Sequence, residues 1–111
     1  MVKDLNISLL LDFYGNLLPD KQLDMMEQYY AEDLSLSEIA ENCGITRQGV
    51  HDNIKRASAE LKAYESKLGL IAKFTDITDA ANQIKELLKS NAVNESYDKI
   101  MLLLDTIIDE A

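Results

Sequence analysis

Residues 34–57, LSLSEIAENCGITRQGVHDNIKRA, carry the side-chain types best suited to contact nucleic acid. Arg47 and Gln48 can each grip a base edge with two hydrogen bonds, to guanine and adenine respectively. Lys55 and Arg56 can neutralise phosphates, or simply sit in solvent. His51 reads equally as a base or phosphate contact and as an idle surface residue. Asp52 can accept from cytosine, or pair with Arg56 one turn on, a pair worth ~0.3 kcal/mol. Ser37 can donate to a phosphate from the start of the preceding helix. With Thr46, these residues make up the candidate nucleic-acid-binding set.

Other chemistry is harder to assemble. His51 is the only histidine, so neither a multi-histidine metal site nor a histidine pair can form. Cys43 is expected on the inward side of a helix end, where a thiol is inert. The carboxylates between residues 20 and 41 lack the spacing of a calcium loop. The sequence contains no glycine-rich phosphate cradle and no nucleophile beside a credible base. We expect no catalytic residue, metal or cofactor, and no enzyme activity.

The elements needed to position the contact residues are legible around them. A helix-turn-helix needs a small residue at the helix crossing, a turn glycine, and apolar residues that lock the second helix onto the first. Ala40 is the small residue and Gly44 the turn. Ile39, Cys43, Ile45, Val50 and Ile54 are the expected lock. Ser35 and Glu38 fit a capping box, and Thr46 caps the following helix. With the lock facing inward, Arg47, Gln48, His51, Asp52 and Lys55 face outward. The first residues of such a helix are the ones that reach base edges. Gly49 is costly inside a helix, and a close backbone approach by a partner would explain it.

The remaining sequence is also helical in pattern. One Pro and four Gly are too few for a hairpin-rich fold. Leu5, Leu9, Leu10, Phe13, Leu17 and Leu18 mark an amphipathic helix ending before Pro19. Leu23, Met26, Tyr29 and Tyr30 mark a second, up to about Glu32. The fourth helix keeps Val50, Ile54, Ala57, Leu61, Tyr64 and Leu68 on one side, and Gly69 either interrupts or bends it. The stripe continues through Ile71, Phe74, Ile77 (or Thr78), Ala81, Ile84 and Leu88. After a break at residues 90–94, Val93, Tyr97, Ile100, Leu104, Ile107 and Ala111 repeat at heptad steps suited to helix-on-helix packing. The expected architecture is therefore all-α. A four-helix domain spans residues 1–68, with its helix-turn-helix at about 36–58, and a helical extension spans 69–111. The extension either folds back on its own chain or pairs with a second copy as a dimerisation element.

Charge qualifies the nucleic-acid reading. The 111-residue chain carries a formal charge of -9. Phosphates repel such a protein at long range. Yet residues 46–62 hold four basic side chains (Arg47, Lys55, Arg56, Lys62) against two acidic ones (Asp52, Glu60), a local +2. Salt screens charges beyond ~8 Å, so the local balance governs contact. The single cysteine allows no internal disulfide, and no apolar run approaches the ~20 residues that cross a membrane. With no signal-peptide pattern at the N-terminus, a cytoplasmic location is expected.

Residues 18–61 resemble the promoter-reading C-terminal domain of bacterial sigma factors. The resemblance is carried by LPDKQ, by LSEIA, by the GIT turn and by the RA…L ending. The chain as a whole resembles the YlxM family, small helix-turn-helix proteins of Gram-positive bacteria and their relatives. The cues are LLDFY, YYAEDLSLSEIA, TRQGVHD with IKR, and YESKLGL. The family's genes lie beside those for the protein subunit of the signal recognition particle. Membership implies a non-enzymatic regulator or accessory factor of that pathway, with the particle's protein subunit or RNA as partner and DNA as the expected ligand of the motif. The rival expectation is a helical interaction adaptor, or an RNA-binding component of the particle, without sequence-specific DNA binding.

Overall fold

The computed structural model describes residues 5–90 and 93–110, with the side chains of Leu5 and residues 93–95 outside the description. Every regular element among the described residues is helical. The helices are α1 (Leu5–Tyr14), α2 (Asp20–Tyr30), α3 (Leu36–Cys43), α4 (Arg47–Leu68), α5 (Leu70–Lys89) and α6 (Val93–Glu110). Two compact units divide the chain, residues 1–68 and 69–111.

The first unit wraps α1, α2 and α3 around α4. Its core is Ile7, Leu10, Tyr14, Leu18, Met25, Met26, Tyr29, Leu36, Ile39, Ala40, Val50, Ile54, Ala57 and Leu61. The α4 residues among these recur at steps of four and three, placing one stripe of the long helix in the centre. The first helix is shorter than the apolar spacing predicts. It ends at Tyr14 and tightens into a 3-10 turn over Gly15–Leu17. Leu18 is extended, as a residue before proline must be, and this opens the corner into α2. Tyr14 packs against Tyr64 with ring centroids 6.1 Å apart and donates its hydroxyl hydrogen bond to Glu65, tying α1 to α4.

The helix-turn-helix is held by local chemistry. The capping box at the start of α3 forms in full. Glu38 N–H donates to Ser35 Oγ at 3.1 Å, and Ser35 N–H donates to Glu38 Oε1 at 3.1 Å. Gly44 closes α3 at φ 67°, a left-handed conformation that a side chain would strain. Thr46 caps α4, its Oγ1 accepting from Gly49 N–H at 2.9 Å. Gly49 thus has an account within the chain: a Cβ there would lie 3.1 Å from that same Thr46 Oγ1. No partner backbone is needed to explain it.

Ile45 is a correction to the expected lock. It is 39% exposed, because it sits in the turn between Gly44 and the capping Thr46 instead of on either helix's inner stripe. Cys43 is only half-buried, with its Sγ 3.7 Å from Gln28 Nε2. Gln28 of α2, a buried polar side chain, supports the motif from outside it. Its Oε1 accepts from Asn42 Nδ2 at 2.9 Å, and its Nε2 donates to Asp24 Oδ2 at 3.0 Å. The Asn42 bond pins the end of α3 to α2, while the Asp24 bond, within α2, orients the amide.

The second unit is a pair of packed helices, α5 and α6. Gly69, at φ 62°, interrupts the helical run, so α4 and α5 are separate helices. The inward faces differ from the expected stripes. In α5, Ala80 is buried and Ile77, Ile84 and Leu87 are half-buried, whereas Phe74, Ala81 and Leu88 are exposed. In α6, Ser96, Ile100, Leu103 and Ile107 turn inward, while Tyr97 and Leu104 are exposed. The heptad stripes lie astride the seam instead of along it, since one residue of rotation moves a helix face by about 100°. Val93 and Ala111, the expected ends of the last stripe, lie outside the described side chains.

Candidate nucleic-acid interface

The start of α4 presents the candidate residues on the surface of the first unit. Val50, Ile54, Ala57 and Leu61 bury one face of the helix. Gln48, Asp52 and Lys55, at i, i+4 and i+7, share the opposite face and are all exposed. Arg47 is exposed at the first position, His51 is partly exposed on one flank, and exposed Arg56 lies on the other. Ser37 is exposed near the start of α3. Thr46 is exposed, but its oxygen serves the cap, which leaves the hydroxyl hydrogen to donate. The fold thus brings Gln48, Asp52 and Lys55 onto one ridge and sets His51 and Arg56 to its two sides.

Asp52 does not take Arg56 as its hydrogen-bond partner. Its Oδ1 accepts from Gln48 Nε2 at 2.9 Å and lies 3.4 Å from His51 Nδ1. The Gln48 hydrogen bond, then that to His51, hold the carboxyl below its ordinary value; desolvation opposes them, and the charges of His51 and then Arg56 add the least. The consequence falls on Gln48. One amide hydrogen is committed to Asp52, which fixes the orientation of the amide and leaves Oε1 and the second hydrogen to meet a base.

Arg47 lies apart from that cluster. It lines a shallow depression with Tyr29, Asp33, Leu34, Ser35, Leu36 and Glu38, at the mouth of the α3 cap. Asp33 and Glu38 make this end of the surface acidic, so an anion approaching Arg47 meets carboxylates as well.

A second feature was not singled out by residue type. His51, Lys55, Ser58, Ala59 and Lys62 on α4 face Ile7 of α1 and Tyr30 of α2 across an open cleft of about 460 Å³. Lys62 is the residue missed: it lies seven residues after Lys55 and continues the same cationic flank, a step readable in the sequence. Tyr30 and Ile7 reach the cleft only through tertiary packing, which no local signal announces. Among the described residues, no group of three or more His, Cys, Asp or Glu is placed to hold a metal ion, and no helix is long and apolar enough to cross a membrane.

The architecture and this exposed helix define an all-α helix-turn-helix protein. Residues 1–101 match the model of a family described as "Putative helix-turn-helix protein, YlxM / p13 like". A relative from Halalkalibacterium halodurans is 44% identical over 105 residues, covering 95% of this chain and 96% of its own. One from Desulforamulus reducens is 43% identical over 107 residues, covering 94% of this chain and 92% of its own. The YlxM protein of Bacillus subtilis is 40% identical over 105 residues, covering 95% and 96%. The chain belongs to the YlxM / p13-like helix-turn-helix family.

Proposed function

We propose that the chain is a non-enzymatic, nucleic-acid-associated regulator or accessory factor of the signal recognition particle pathway. Nucleic acid would be contacted through the start of α4. The observation that carries this reading is the exposed ridge of Gln48, Asp52 and Lys55, flanked by His51 and Arg56. It stands on a helix whose opposite face is fully buried. A rigidly seated helix with a free, locally cationic face is what groove binding requires. The link to the particle rests on the YlxM-type resemblance of the whole chain, and the acidic remainder suits a basic protein partner.

Asp52 and the Gln48–Asp52 bond favour a selective ligand over generic duplex binding. Structured RNA, read by shape and unstacked bases, fits that restraint better than a long run of phosphate contacts. A gel-shift titration at several salt concentrations tests the reading, with duplex DNA and the particle's RNA as competing probes. Binding should weaken with salt with a shallow slope, near -0.9 per phosphate contact on duplex DNA. Arg47→Ala with Lys55→Ala should weaken it at least about tenfold. Unchanged affinity in that double variant would sink this use of α4. Absence of binding at low salt would favour the adaptor reading instead.

A further inference from the structure

We propose that the α5–α6 hairpin is half of a four-helix bundle completed by a second copy of this chain, with α6 of each copy packed on α5 of the other. This pairing stands independently of the nucleic-acid reading.

The hairpin lacks a core of its own. Among its described residues only Ala80 is buried. A two-helix unit of about 40 residues cannot ordinarily remain folded on so little. A second set of its apolar residues faces outward. On α6, Tyr97, Met101, Leu104 and Ile108 form one stripe at steps of four, three and four, each between 38% and 68% exposed. This stripe is the inward set Ser96, Ile100, Leu103 and Ile107 advanced by one residue, or about 100°. On α5, exposed Ala81 and Leu88 are likewise one residue beyond inward-facing Ala80 and Leu87. A helix in a square bundle touches two neighbours at about a right angle, which is the angle between these faces. In both helices the exposed face is advanced in the same sense, so a ring of alternating α5 and α6 closes.

Charge selects the partner helix. α5 carries three basic residues (Lys73, Lys85, Lys89) and three acidic ones (Asp76, Asp79, Glu86). α6 carries one basic residue (Lys99) and five acidic ones (Glu95, Asp98, Asp105, Asp109, Glu110). Lys85 lies one turn from both Ala81 and Leu88, so it edges the exposed α5 face. Asp105 lies one turn from both Met101 and Ile108, and Asp98 one turn from Met101, so they edge the α6 stripe. Packing α6 against the other copy's α6 would set aspartates against aspartates. Packing it on the other copy's α5 sets them against lysines. The two-fold operation repeats the contact, giving an isologous interface.

Sedimentation equilibrium of the full chain tests this. The wild type should be a dimer, and Met101→Glu with Ile108→Glu should raise the dissociation constant about 100-fold or more, since the charges would be buried unpaired. Leu102→Glu is the control. Leu102 is 65% exposed yet lies off the stripe, and its substitution should leave the dimer intact. Two rim variants keep the result independent of folding losses: Lys85→Glu with Lys89→Glu, and Asp98→Lys with Asp105→Lys. Each should self-associate about tenfold more weakly at low salt, and the two mixed should form a heterodimer at near wild-type strength. A monomeric wild type, a dimer indifferent to the stripe substitutions, equal loss with Leu102→Glu, or rim variants that fail to prefer each other would each overturn the proposal.

Discussion

Each unit contains a helix of about 20 residues, α4 in the first and α5 or α6 in the second, and the units differ in what that helix encloses. α4, at 22 residues, buries four positions completely and is clasped by three other helices. α5, at 20 residues, buries one, and α6 buries none of its described residues. Apolar content does not explain the contrast, since α6 is rich in Leu and Ile. The number of neighbours does. A helix needs flanking elements on two or three sides before its apolar stripe closes, and a hairpin gives each helix a single neighbour. The first unit therefore encloses its own core, and the second leaves an apolar stripe exposed.

Core truncation should separate the units most strongly. Leu61 is fully buried on α4, and Leu61→Ala should cost about 2–5 kcal/mol in urea-induced unfolding. The same change at Leu102 of α6 should stay within about 0.5 kcal/mol. Comparable losses at the two positions would break the contrast.

Hydrogen exchange sharpens it next. Amides of α2 and α4 should be protected regardless of chain concentration, because their core is internal. Those of α5 and α6 should slow as concentration rises. Well above the dissociation constant the monomeric fraction falls as the inverse square root of concentration, so a hundredfold increase should slow their exchange about tenfold. Protection in α5 and α6 that ignores concentration would mean the hairpin is stable without a second copy.

The contrast also explains what the sequence disclosed. In the first unit, burial follows the spacing closely. Ile39, Ala40, Val50 and Ile54 are inward as the motif demands, and Ser35, Glu38 and Thr46 cap as their types suggest. Local chemistry and tertiary packing agree there. Ile45 escaped because a turn residue is governed by caps on both sides and not by a helical period. Gln28 escaped because no local rule marks a buried glutamine until Asp24, Asn42 and Cys43 converge on it. In the second unit the heptad steps were legible, but not which of two adjacent stripes faces the hairpin partner. Tyr97 and Leu104 belong to the other stripe. With both faces apolar, spacing alone cannot rank them. Of the candidate surface, the outward residues of α4 were legible, whereas the cleft shared with Ile7 and Tyr30 was not.

Gly44 offers a smaller test of how local geometry supports the first unit. Its φ of 67° is left-handed, and a Cβ would meet nothing within 4 Å, so only backbone strain opposes a side chain. Gly44→Ala should lower stability by about 1–2 kcal/mol in urea unfolding, with the fold retained. A neutral result would mean the α3–α4 turn can relax, weakening the view that α4 is rigidly seated.

The smallest effect concerns the surface of the first unit. Asp52 is held below its ordinary value first by Gln48, then by His51, with Arg56 the last of the charge effects. A depressed carboxylate contributes its stability above the unfolded-state value and loses it as pH falls through the lower folded-state value. Any change in stability or in the Gln48 contact should therefore appear only in acid, below the ordinary carboxylate range, and leave neutral pH untouched. An NMR titration of the Asp52 carboxyl should show a low midpoint that rises in Gln48→Ala and moves less in Arg56→Ala. If Arg56→Ala moved it more, Asp52 would be paired across the turn and the Gln48 amide would be free to reorient. The order of these two responses thus decides whether the α4 face is pre-engaged or open, with no change to the core beneath it.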